Sequence, residues 1–374
     1  MNQTGLLHIV ERLERLLARL PERIRRPVLR ELTPLKELFL QQRPPRFLFI
    51  GSSKTPTHRL LNVLFSPGAA EQVNVALMPV HRWVDWDIAG RGTISVLDAR
   101  DADHAAVAQV EEELERQPAD IVFVLDDEDA NTGIDGSPTL ALRVQYGFGA
   151  VLGDAKVIGI SFGSAARTAQ FQQALKAQPA TRDRLLKVIE FTGQQSVETR
   201  SLLSLLTQQL PNTAKIEIIR ISGDREAQQH VAQMLIKSTT AVCAAIGMQP
   251  IPLADMPILT ALQAMMVSGI MYVSGRERSL RAAAEFITAL GANVGAGMLL
   301  REGARAILKF FPGWGNVVCG MVAGAGTYAI GRAASAYFIG GVSLKAARQK
   351  YLADRKSSPQ KSGWLRDSLG AFKR

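Results

Sequence analysis

Residues 47–65 read FLFIGSSKTPTHRLLNVLF. An apolar run from Phe47 to Ile50 ends at Gly51, a short polar loop follows, and Leu60-Leu61-Asn62-Val63-Leu64-Phe65 continues with helical character. A strand that feeds a helix through a glycine turn opens an α/β domain, and this unit sets the expected fold class. The same unit binds phosphate when its loop reads G-x-x-x-x-G-K-[ST], with glycine amides cradling the oxygens and lysine neutralising them. Gly51 fits the first glycine, but Pro56, Thr57 and His58 stand where the frame needs Gly, Lys and Ser/Thr. Proline has no N–H to donate and forbids the loop's dihedrals. Thr57 brings no charge, and His58 is a poor ligand for a hard magnesium ion. Lys54 lies inside the loop and could replace the missing lysine in part, though Pro56 would still spoil the amide cradle. Gly51 reads first as a strand-to-helix turn glycine, and His58 as a helix-start histidine.

Outward from this unit, apolar strands alternate with helical segments from Arg46 to about Pro211. The strands fall at 46–50, 72–77, 93–98, 119–126, 155–162 and 186–192, and the helices near 57–65, 102–116, 138–152, 165–178 and 195–209. This alternation predicts a mostly parallel sheet covered on both faces, spanning 46–212. Residues 1–45 form an N-terminal arm, in which Leu6, Val10, Leu13, Leu17 and Leu20 repeat at 4-3-4-3 spacing on one helical stripe. Pro21, Pro27 and Pro34 break that run, and Pro44-Pro45 mark the boundary.

Beyond about Lys215 the chain turns helical and rich in Ala and Gly, giving a third region over 213–341 and a basic tail over 342–374. Three apolar segments stand out: Met256–Ser274, Phe286–Leu300 and Gly313–Gly331. The outer two run uncharged for about the length a bilayer span needs. Gly291-x-x-x-Gly295 and Gly320-x-x-x-Gly324 carry small residues at helix–helix spacing. The charged turn Arg301, Glu302, Arg305 and Lys309, between two Gly-rich helices, suits a hairpin inserted from one side, although polar Gln263, Asn293, Asn316 and Thr327 also suit a buried helical core. Trp364, Leu365, Leu369 and Phe372 in the tail are possible interfacial anchors.

Charge is uneven. The net charge is +10, yet residues 1–46 hold ten Arg or Lys against five Glu, and residues 342–374 hold nine against two Asp. Basic ends around a near-neutral body suit an anionic surface, either lipid headgroups or nucleic acid, or simply solvated termini. Glu11, Arg12, Glu14 and Arg15 interrupt any apolar run of a secretory signal. Cys243 and Cys319 form no CxxC pair and read as small buried residues of a reducing compartment. His8, His81, His104 and His230 show no ligand spacing, so no metal site is expected.

The order of elements, with Ala119-Asp120-Ile121-Val122-Phe123-Val124-Leu125-Asp126 as the clearest echo, resembles the Era-like branch of the small GTPases (TrmE/Era-type). The resemblance implies a Ras-like P-loop-type sheet over 46–212. The second half resembles the C-terminal helical domain found in bacterial GTPase-associated and YcjF-type inner-membrane proteins. Its matching blocks are Ile251-Pro252-Leu253-Ala254-Asp255-Met256-Pro257, Phe311-Pro312-Gly313-Trp314-Gly315 and Thr327-Tyr328-Ala329-Ile330-Gly331-Arg332-Ala333.

Against the family's motifs the chain departs throughout. The D-x-x-G that senses the γ-phosphate and reaches magnesium through water reads Asp98-Ala99-Arg100-Asp101. The strand that should precede the guanine-selecting N-K-x-D ends Ile160-Ser161-Phe162-Gly163-Ser164, and the last motif reads Glu190-Phe191-Thr192-Gly193. Gly51, Lys54, Pro56, Thr57, His58 and Asp98 are therefore vestigial positions, with no catalytic residue and no cofactor expected. Asp98 and Asp101 could pair as carboxylates, but Arg100 and Asp103 suggest a solvated loop, as does the acidic run Asp126, Asp127, Glu128 and Asp129. These features point to a non-catalytic pseudo-GTPase: a scaffold on the cytoplasmic face of the inner or plasma membrane, binding lipid and a protein partner, either an active GTPase or a second copy. The rivals are a GTPase with an atypical loop, using GTP and magnesium, and a cytoplasmic Era-like RNA binder. Against the last, no KH-type G-x-x-G stands in a strand–helix setting and no aromatic platform is visible.

Overall fold

The computed structural model describes residues 42–51, 81–88, 91–126, 152–191, 197–247, 256–291 and 315–356, with single positions at 22, 26 and 29 and between 55 and 64. The chain divides into two compact units, residues 43–222 and residues 1–42 together with 223–374. The first is α/β. Its strands are β1 (Arg46–Ile50), β2 (Trp83–Asp87), β3 (Thr93–Asp98), β4 (Ile121–Asp126), β5 (Lys156–Ser161) and β6 (Leu185–Glu190). They form one sheet in the order β2-β3-β1-β4-β5-β6, parallel throughout except that β2 runs antiparallel to β3. The expected strand at 72–77 lies outside the described residues, and the edge is formed by β2, which the pattern of apolar runs does not mark. Its WVDWD alternates charge with bulk, as a strand with one solvated face does.

Central strands are apolar on both faces because both are covered. From β1 and β4, Phe47, Phe49, Ile121, Phe123 and Leu125 point one way, into a core shared with Leu60, Leu64, Leu202, Leu206, Ile218 and Ile221. The alternate residues Leu48, Ile50, Val122 and Val124 point the other way, onto Val110, Leu114, Phe171 and Leu175. The first cover comprises α4 (Val197–Gln209), α5 (Asn212–Ser222) and the helical positions at 57–64; the second comprises α1 (His104–Arg116) and α2 (Ala165–Ala177). A short α3 (Pro179–Arg182) follows α2. Asp103 caps α1 by accepting from the Ala106 N–H at 2.8 Å. The change to helical sequence near 213 precedes the end of this unit, since Ile218 and Ile221 of α5 belong to the sheet's core. Asp120, placed by sequence inside a strand, instead precedes β4 and accepts from both terminal nitrogens of Arg43, at 2.7 and 2.6 Å, and from the Arg46 N–H at 2.9 Å. That bond set pins the amino ends of β1 and β4 together.

The second unit is helical, with α6 (Arg225–Gly247), α7 (Met256–Val273), α8 (Leu280–Ala289), α9 (Gly315–Phe338) and α10 (Leu344–Lys356). Among the described residues no helix is long and apolar enough to cross a membrane. Of the readings left open for the apolar segments, a span therefore finds no support in the described helices, while residues 292–314 lie outside them. Leu262, Met265, Met266, Val267, Ile270, Met271 and Val273 of α7 are all buried, so its apolar circumference reflects a central position among protein helices. The 301–309 turn lies outside the described residues. Gly291 has φ +74° and sits just past α8, where it ends the helix, while Gly295 lies outside the described residues. A close approach between helices is made at Gly331, where an added Cβ would lie 2.6 Å from Ile236 Cγ1 and 3.1 Å from Met266 Sδ.

Candidate functional site

In a sheet of this kind ligands bind beyond the carboxyl ends of the strands, where the strand order reverses. Here the reversal falls at β1, which has β3 on one side and β4 on the other. Gly51 directly follows β1, Asp98 ends β3 and Asp126 ends β4, so the topology brings all three to one edge. Gly51 has φ +151°, and an added Cβ would lie 2.8 Å from the Leu125 carbonyl oxygen. Its carbonyl accepts from the Asp101 N–H at 3.0 Å. The glycine is therefore required by close approach to β4, independently of any ligand.

Asp98 and Arg100 are buried, with side chains only 4% and 3% exposed. Arg100 Nε donates to one Asp98 carboxylate oxygen at 2.8 Å, and its terminal nitrogen donates to the other at 2.7 Å. The second terminal nitrogen of Arg100 donates to the Thr55 carbonyl at 2.8 Å. Thr57, at the frame's lysine position, is buried, and its N–H and hydroxyl both donate to that same carbonyl, at 2.8 and 3.2 Å. The guanidinium thus ties the end of β3 to the loop after β1, through a bidentate fork that lysine could not form. His81 Nδ1 lies 3.2 Å from the Asp98 carbonyl oxygen, and both His81 and Asp101 adopt left-handed backbone, at φ +50° and +49°. The sequence suggests a solvated loop at Asp98–Asp101; the structure corrects this, with only Asp101 exposed.

Asp126 is corrected in the same way. Its carboxylate is buried and accepts from Arg167 Nε at 2.9 Å and a terminal nitrogen at 2.8 Å. Arg167 stands in the first turn of α2, whose N-cap Ser164 accepts from the Arg167 N–H at 3.4 Å. The anion therefore meets a fixed cation and the positive end of a helix. Lys54, Pro56, His58 and Asp127–Asp129 lie outside the described residues. Among the described residues no three His, Cys, Asp or Glu side chains gather as a metal group.

Among the described residues the edge holds two buried carboxylates, Asp98 and Asp126, each bound by its own arginine. No family model matches the chain, and no curated protein does. The geometry alone therefore carries any reading of the site. Sequence reasoning selected Gly51, Thr57 and Asp98, which do come together, but assigned no role to Arg100 or Arg167. The Asp98-x-Arg100 spacing was a usable local signal, whereas Asp126 and Arg167 stand 41 positions apart with nothing in one sequence to link them.

Proposed function

We propose that the chain is a pseudo-GTPase: a Ras-like sheet of Era-like descent that retains the frame of a nucleotide site and serves as a non-catalytic scaffold. The bidentate Arg100–Asp98 pair, closed over the Thr55 carbonyl, is the observation that carries this reading. In the family the aspartate at this position reaches magnesium through water; here the carboxylate is committed to a guanidinium. Phosphoryl transfer depends almost wholly on positioning and on charge supplied by lysine, metal and loop amides. Thr57 supplies no charge at the lysine position, and the Thr55 carbonyl turns an acceptor, rather than a donor, toward Arg100. Loss of one preorganised donor in comparable sites costs about 3–4 kcal/mol of barrier. The sheet order, with its strand–glycine–helix unit at the reversal point, supports the Ras-like frame.

The scaffold works through a protein partner, an active GTPase or a second copy, and attaches peripherally to the cytoplasmic face of a membrane through its basic ends. Titration calorimetry with GTP and magnesium tests the first part. No saturable heat is expected up to millimolar nucleotide. A micromolar Kd would instead favour a GTPase with an atypical loop and overturn the proposal.

A further inference from the structure

Four large apolar side chains are exposed among the described residues, and three of them, Val342, Leu344 and Leu352, lie on or just before α10 at 37, 39 and 41%. The helix has two unlike faces. Ala347 and Tyr351, one turn apart, are buried. To one side of them Leu344, Arg348 and Leu352 are exposed at i, i+4 and i+8, with Lys345 and Gln349 exposed beyond that stripe. Ordinary surface helices are polar on the outer face, but this one alternates cations with leucines. Arg276, exposed in the turn after α7, stacks over the Phe338 ring at 5.0 Å and the Tyr337 ring at 5.6 Å. The Val342 N–H is bound to the Ala336 carbonyl at 3.2 Å, so Arg276 and Val342 both sit against the carboxyl end of α9. The nearby acids are Glu277 in that turn and Asp354, which lies 4.0 Å from Arg332.

We infer that the outer face of α10, with Val342, Leu344 and Leu352 as inserting side chains and Lys345, Arg348 and Arg276 as headgroup contacts, is the surface by which this protein lies on an anionic bilayer. The inference rests on the peripheral attachment proposed above and names its site. Charge complementarity selects the occupant, since the exposed cations of the face outnumber its acids. The spacing favours lipid over an acidic protein. Leu344 and Leu352 are about 12 Å apart along the helix axis. They stand as separate projections with a cationic turn between them, which an interfacial bilayer accepts one by one. The buried Ala347 and Tyr351 already fix α10, so binding does not have to order its backbone.

Vesicle co-sedimentation of the full chain tests this, using phosphatidylcholine alone and phosphatidylcholine with about 30 mol % phosphatidylserine. Wild type is expected to partition onto the serine-containing vesicles, weakly onto the neutral ones, and to release as salt rises. K345E/R348E should lose at least about tenfold in partitioning. L344A/L352A should lose about threefold or more while still melting in one cooperative transition, with the thermal midpoint lowered by only a few degrees because each leucine is only partly buried. If wild type ignores both vesicles, the membrane attachment itself is wrong. If wild type binds and both variants bind equally well, attachment stands but α10 is not its site. Loss in the charge variant without loss in the leucine variant would also overturn the inference and leave an acidic macromolecule as the occupant.

Discussion

Arg100 is two residues from its partner in sequence and wholly enclosed with it, so the pair contributes by being matched rather than by being charged. Removing one member leaves the other charge buried without compensation, at a cost of about 3–5 kcal/mol, whereas replacing both with apolar side chains is often close to neutral. R100A should therefore lower the urea midpoint far more than D98L/R100M does, and equal losses would mean the fork is not the stabilising unit. Cys243 offers a second test at this scale. Burial pushes its thiol from an ordinary 9.0 up to about 12, against a smaller opposing pull from a hydrogen bond with Thr327. A group whose folded pKa is raised binds its proton more tightly when folded. Its contribution is complete below pH 9 and declines from there as pH rises through about 12. Unfolding measured between pH 8 and pH 10.5 should then show a fall that C243A lacks, in a Cys319→Ser background so that one thiol is followed.

Helix α9 is where glycine spacing and actual contact part company. At Gly331, substitution by alanine would ordinarily gain about 1 kcal/mol of helix propensity. Here the new methyl would stand 2.6 Å from Ile236 Cγ1 on α6, an atom near the root of its side chain that has little room to yield. Overpacking of this kind costs about 1–3 kcal/mol, so G331A should destabilise, and I236A should recover part of that loss in a double-mutant cycle. A stabilised G331A would show that α6 and α9 are less tightly apposed. The element level also shows what one sequence can convey. Strands β1, β3, β4 and β5 stand in the sequence as apolar runs because burial on both faces leaves few polar positions at their centres, while β6, at the far edge with Lys187 exposed, is marked by its Leu, Val and Ile alone. The edge strand Trp83–Asp87 escaped because its period-two signal spans only five residues and includes two aspartates. Helix α7 has the composition of a span because a helix surrounded by protein and one surrounded by lipid carry the same side chains. At the site, Asp98 was legible from the frame of its strand and Arg100 stood two residues away, while Arg167 depends on chain folding to become the neighbour of Asp126.

At the scale of the molecule, the chain places its charge at the two ends and its sheet between them. The sheet unit, residues 43–222, has an apolar core on each face of its own, built among the described residues from side chains within those limits. The Asp98–Arg100 fork and the Thr55 carbonyl are likewise internal to it. Mutational effects without shared partners add to within about 0.5 kcal/mol, so the cost of R100A should be nearly the same in a 43–222 fragment as in the full chain. The fragment itself should unfold cooperatively, with a urea slope in proportion to its smaller buried surface. This couples two claims that could fail separately. A fragment that melts without a cooperative transition would mean the sheet draws its stability from residues 223–374. A cooperative fragment in which R100A has little effect would mean that the fork is held shut by the rest of the chain rather than by the strands that carry it.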